Sequence, residues 1–163
     1  MNITAPCGDY HIYRRCVTGA NEYRYDHQGQ CIGRASALVA RRYPVTIRGA
    51  ERTFCYEHDL EMTVFPGCSR AIFCGDRQYA KLVYLKMGHH CLEIGSDTIR
   101  IARDGDSVCF YRDDCPVAVL HHVCRTADVT SCWEHRQVLR VFGPIPEDYL
   151  LLFLSFPLLQ IWL

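Results

Sequence analysis

After Asp148 the chain carries no further charged side chain, and residues 147–163 read EDYLLLFLSFPLLQIWL. A helix apolar on every side is held either by lipid or by surrounding protein. Gly143, Pro144 and Pro146 stop whatever precedes it. Glu147 and Asp148 stand where a first helical turn favours carboxylates beside the positive dipole end. A bilayer span needs about 20 mostly apolar residues. Tyr149 to Leu163 supplies 15, interrupted by Ser155, Pro157 and Gln160. As a helix that is roughly 22 Å, against a hydrocarbon core of about 30 Å. No Lys or Arg follows to hold a far end. The expectation is a core helix and no transmembrane span, with Leu151, Leu152, Leu154 and Leu158 enclosed by protein. Pro157 removes one helical hydrogen bond and clashes with the preceding turn, so a kink or stop is expected near Phe153–Phe156.

Something must do the enclosing. Between residues 10 and 142 the chain shows short period-two runs cut by turn residues. YHIYRRCV places Tyr10, Ile12 and Cys16 on one face. NEYRYDHQGQCIGRA reads as strand, turn at Asp26–Gly29, strand. YPVTIRG and RTFCYEHDLEMTVFPG follow, and AIFCGDRQYAKLVYLKMG is two strands about Gly75–Asp76. Four more strands have turns at Gly95–Asp97, Asp104–Asp106 and Asp113–Pro116, and WEHRQVLRVFG is the last. Three hairpins echo one another loosely: Tyr25-Asp26…Ile32-Gly33, Phe73…Asp76…Tyr79-Ala80 and Tyr111…Asp113…Val117-Ala118. A barrel of about ten to twelve strands has an interior wider than its own side chains fill. The expected fold is therefore mainly β: a closed antiparallel barrel of about twelve short strands around one hydrophobic C-terminal helix. It forms a single domain over 1–163, strands to 142 and helix from 147.

Lys+Arg and Asp+Glu both number 18, so no global field draws the chain to nucleic acid, and no nucleic-acid partner is expected. A monomer is expected. The opening MNITAPCGDYHIYRR lacks a basic region followed by an apolar one, which reads as cytoplasmic, with peripheral contact to a membrane allowed. Eleven cysteines at irregular gaps, an odd count without a C-x-x-C pair, read as reduced thiols serving as small buried hydrophobes.

His89-His90-Cys91 and His121-His122-Cys124 are the candidate metal ligands. Strand alternation puts His89 with Cys91, and His122 with Cys124, on shared faces. Were the two strands paired, two His and two Cys could hold zinc. The spacing matches no zinc finger or ribbon, and no metal or cofactor is expected. H-E-x-x-H, G-x-S-x-G and a glycine-rich phosphate loop do not occur, so no catalytic residue is assigned. Arg14-Arg15 and Arg41-Arg42, with Arg48 and Arg52 nearby, are the candidate anion-binding groups, set against the plainer reading of a solvated surface.

The hairpin DHQGQCIGRA, the strand pairs GDRQYAKLVY and RDDCPVAVLHHV, and the closing PEDYLLLFLSFPLLQIWL together resemble the tubby C-terminal fold. Phospholipid scramblases and LURP-one-related proteins share that fold, and this chain is similar to compact bacterial members of the group. The resemblance implies a barrel with the C-terminal helix threaded through it. It also implies a non-catalytic binding or interaction module whose ligand is a protein or an anionic phospholipid surface. The phosphate-binding pattern of tubby proteins has no counterpart here, so its residues are not carried over. The alternatives are a scramblase-like protein anchored by its C-terminal tail, and a Cys/His metal or redox protein.

Thiol titration of denatured, unreduced protein is expected to approach eleven groups. Recovery of only a few would place the chain in an oxidising compartment.

Overall fold

The structure, a computed structural model, describes residues 3–18, 20–37, 42–47, 50–56, 66–123 and 132–155. The chain is mainly β with one short helix. The strands are β1 (Thr4–Ala5), β2 (Gly8–Val17), β3 (Ala20–His27), β4 (Gln30–Ala37), β5 (Arg42–Ile47), β6 (Ala50–Tyr56) and β7 (Ser69–Cys74). After them come β8 (Arg77–Lys86), β9 (His89–Ile94), β10 (Asp97–Asp104), β11 (Ser107–Arg112), β12 (Cys115–His122), β13 (Glu134–Val141) and β14 (Ile145–Pro146). The helix α1 is Glu147–Ser155. β1 and β14 are a two-residue ribbon, too short to leave a period in the sequence, and were not expected.

Each strand from β2 to β13 pairs antiparallel with the next, and β13 pairs back with β2, so the order closes on itself as a barrel. That last pairing is a seam between strands far apart in the chain. It carries Asp9–Arg140 as a two-pronged pair at 2.8 and 3.1 Å and Arg14–Glu134 at 3.3 Å. Gly8 begins the seam at φ +122°, a region that side chains avoid; a Cβ there would stand 3.1 Å from the His27 ring, itself stacked on Tyr10.

The two ends of the barrel differ. At one, two-residue turns join the strands: Gln28–Gly29, Gly75–Asp76, Gly95–Ser96 and Asp113–Asp114. Gln28 and Gly29, and likewise Asp113 and Asp114, all have positive φ, as a type I′ hairpin turn requires. At the other end leave the longer connections, 38–41, 57–68 and 123–133. These are the turn end and the loop end of the barrel.

The loose hairpin echo has a structural counterpart. The hairpins β3–β4, β7–β8 and β11–β12 each shift register shortly before their turn, between Tyr25 and Asp26, Ile72 and Phe73, and Phe110 and Tyr111. The extra residues are Ile32, Tyr79 and Val117, each partly buried against the core. Beside each bulge a large inward residue faces a small one: Tyr25 opposite Gly33, Ile72 opposite Ala80, Phe110 opposite Ala118. The three hairpins recur at every fourth strand around the barrel. A bulge adds local twist and bend, which closure of a sheet needs.

The helix enters from the turn end. The hydroxyl of Tyr149 donates to Asp97, which also accepts from Arg112 at 2.9 Å. Tyr149 through Ser155 are all buried. Phe153 stacks on Phe110 with ring centroids 4.2 Å apart, and Tyr25 donates to the Leu154 carbonyl at 3.3 Å. Leu151, Leu152 and Leu154 are at most 2% exposed. Leu158 and Pro157 lie outside the described residues. Among the described residues no helix is long and apolar enough to cross a membrane.

Two expectations are corrected. Cys16 does not join Tyr10 and Ile12 in the core; it sits near the end of β2 and is exposed. More generally, of the nine cysteines whose side chains are described six are exposed, three are partly buried and all are free. They occupy outward positions, strand ends and the residues flanking strands, so burial does not explain their number.

Leu154→Ala is expected to lower stability by about 2–5 kcal/mol in urea denaturation. Ala118→Leu, which overfills the space opposite Phe110, is expected to cost about 1–3 kcal/mol. Leu152→Asp is expected to give no folded protein.

Candidate functional site

The outward residues of β2, β3, β4 and β13 carry an unusual density of arginine and aromatic rings near the loop end. Register explains why they meet. Tyr13 lies opposite both Arg24 and His135, and Arg24 lies opposite Arg34, which in turn faces Thr46 of β5. Strand neighbours alternate faces, so Arg14 and Arg15 part company: Arg14 pairs with Glu134, whereas Arg15 pairs with Glu22 at 2.6 Å on the outer wall.

Trp133 is the hub. The Arg15 guanidinium lies 4.4 Å from its ring centroid and that of Arg24 lies 5.3 Å away; Arg24 also covers Tyr13 at 4.5 Å. Arg24 donates from Nη2 to Asp26 at 3.1 Å, with its Nε in charge contact with the same carboxylate at 3.0 Å, and Glu134 is shared by Arg14 and Arg136. Arg15 is raised above its ordinary value, first by Glu22 and then by the Cys132 sulfur. Arg34 is exposed and has no counter-charge among the described residues. Five arginines thus meet three carboxylates. Arg15, Glu22, Arg34, Ser36, Thr46 and Trp133 line a cleft of about 230 Å³, floored by Tyr23 and Ala35. Guanidinium forks and hydroxyls on such a wall match the lone pairs of a phosphate or carboxylate.

Of the expected anion-binding residues, Arg15 lines this cleft and Arg14 is spent on Glu134 beside it. Arg42 begins β5; Arg41 lies outside the described residues. Arg34 and Trp133 were not expected. Arg34 could have been found by folding the β3–β4 hairpin about Gln28–Gly29, but Trp133 meets Arg15 only through the seam.

The metal candidates do not come together. His89 and Cys91 are on β9 and His122 on β12, with β10 and β11 between, so these strands are not paired. Cys124 lies outside the described residues. Among the described residues no three His, Cys, Asp or Glu side chains gather as a metal set. Burial, then Glu93, pushes the Cys91 thiol up, away from the thiolate that a ligand or nucleophile must supply. The buried member of the run is His90, 6% exposed, with Tyr84 edge-on to its ring. Burial first, then the charges of Arg70 and His89, bring it down to about 4.

His90 is therefore neutral in the folded protein at pH 7, and its ordinary value is 6.5. Between those two values the unfolded chain binds the extra proton, so this group's contribution to stability is complete above about 6.5 and is lost as pH falls toward about 4. Urea midpoints measured from pH 7 to pH 4.5 are expected to fall more steeply for the native chain than for His90→Phe; equal slopes would contradict this.

No family model, no curated protein and no solved structure matches this chain.

Proposed function

We propose that this chain is a non-catalytic binding module of the tubby-like kind, a twelve-stranded barrel around its C-terminal helix, that docks on membranes bearing anionic phospholipid. The headgroup is received in the cleft of Arg15, Arg34, Ser36, Thr46 and Trp133. One observation carries the reading: Arg34 is exposed beside hydroxyls and an indole with no counter-charge among the described residues, while the arginines around it are paired. A second favours a surface over a free solute. Leu85 and Met87, 43% and 88% exposed, flank Lys86 at the β8–β9 turn, also at the loop end and across the barrel from the cleft. That end so combines apolar residues with positive charge, the pairing that a peripheral membrane contact uses. The turn end also exposes Ile3 and Phe142; of its arginines, 112 and 140 are matched by Asp97 and Asp9, and Arg77 is exposed.

Sedimentation with phosphatidylserine-containing vesicles tests the proposal. The full chain is expected to co-sediment with them and not with phosphatidylcholine vesicles, more weakly as salt rises. Arg34→Glu and Trp133→Ala are expected to reduce binding at least tenfold with melting unchanged. Binding that survives both substitutions, or no binding by the native chain, overturns the reading. Binding to an acidic peptide in place of vesicles would replace the lipid with a protein partner.

A further inference from the structure

The seam also brings two imidazoles together on the outer wall. His11 of β2 stands opposite Val138, and His135 of β13 stands opposite Tyr13, with a register shift between His135 and Gln137. Nδ1 of His11 lies 3.1 Å from Nε2 of His135, and the ring centroids are 5.1 Å apart. Two nitrogens that each bind one ion at about 2.0–2.1 Å, at an angle near tetrahedral, stand about 3.1–3.4 Å from each other. The rings already have the spacing of a ligand pair. Tyr13 backs the His135 ring, stacked on it with centroids 4.7 Å apart and planes at 22°. Both histidines are partly buried, which leaves one side open to water. Asp26 of β3 stands opposite His11 and brings a carboxylate, which Arg24 offsets. Burial first, then His11, lowers His135, against an upward pull from Asp26. A ligand imidazole has to be neutral.

We infer that His11, through Nδ1, and His135, through Nε2, bind a divalent transition-metal ion of the zinc, nickel or copper class across the barrel seam. Imidazole suits these ions, whereas magnesium and calcium call for oxygen ligands. Among the described residues no third His, Cys, Asp or Glu completes a set with them, so water fills the remaining positions. Without the ion one ring donates its N–H to the other. With the ion that ring carries its proton on its outer nitrogen instead. Both facing lone pairs then point at the metal, and no net proton is taken up or released. The ion joins the first and last strands of the barrel and finds its two ligands together only where those strands are paired. It therefore stabilises the closed barrel by mass action. His89 and His122 offer no such pair, since their strands are not neighbours. The inference does not depend on lipid binding.

Zinc titration of the reduced full chain, followed by calorimetry, melting and the nitrogen NMR of the histidine rings, tests it. The expected result is a rise in melting of several degrees that EDTA reverses and magnesium does not produce. In the native chain zinc shifts Nδ1 of His11 and Nε2 of His135. His11→Gln and His135→Gln each weaken that binding at least tenfold and remove the rise in melting. The inference is overturned if zinc leaves both ring nitrogens unmoved, if it moves the opposite nitrogen of either ring, or if the rise in melting survives either substitution. Zinc held by the exposed thiols gives the first and third of these outcomes. The ring spectra of the native chain decide the matter even if a glutamine variant folds poorly.

Discussion

Everything in this molecule depends on an apolar helix being enclosed. Seven consecutive residues, Tyr149 to Ser155, are buried, and no single face of a sheet could cover them all round. A cyclic order of strands can, and it leaves no unpaired edge. The requirement runs the other way too, because a ring of twelve strands encloses more space than its inward side chains occupy. Tyr25, Phe110 and Ile72 reach inward from three evenly spaced hairpins, and Gly33, Ala80 and Ala118 opposite them stay small. Large residues meeting small ones at the same level let barrel wall and helix interdigitate at the density of a protein interior.

Closure also builds the surface. The seam is where strands separated by most of the chain become neighbours, and it is laced with polar pairs: Asp9 with Arg140, Arg14 with Glu134, and the rings of His11 and His135, whose nitrogens are 3.1 Å apart. Exposed pairs of this kind add little stability individually. Their larger effect is on register, since a one-residue slip would set like charges and apolar residues against the wrong partners. The cleft forms beside this seam because Trp133 is delivered by the residue that leads into β13, Arg15 by β2 and Arg34 by β4.

The parts legible in the sequence are those that local physics decides. Period-two runs and turn residues give the strands, since Gly29, Gly75, Gly95 and Gly105 sit at positive φ where hairpins demand it. The Gly-Pro-rich stop and the two carboxylates after it give the helix start at Glu147. Cysteine burial was misread because residue type carries no information about position along a strand: Cys16 has inward spacing, but near the strand's end nothing remains to cover it. The β9–β12 metal arrangement failed on strand order, which two intervening strands decide. Trp133 escaped notice because its partner Arg15 lies more than a hundred residues earlier, and only closure brings them together.

The position of the helix in the chain has a consequence for biosynthesis. The meander pairs each strand with its successor, so the barrel wall can begin to assemble as it leaves the ribosome. Its lining cannot be covered then, because α1 follows every strand in the order of synthesis. Until translation reaches residue 155, Tyr25, Ile72, Leu92, Ile101 and Phe110 face a vacant lumen or solvent, and β2 waits for β13. A nascent chain in that condition is a substrate for holding chaperones and prone to association with its neighbours. Pauses late in the message, before the helix emerges, would prolong that exposure, so translation speed over the last strands bears on the yield of native protein.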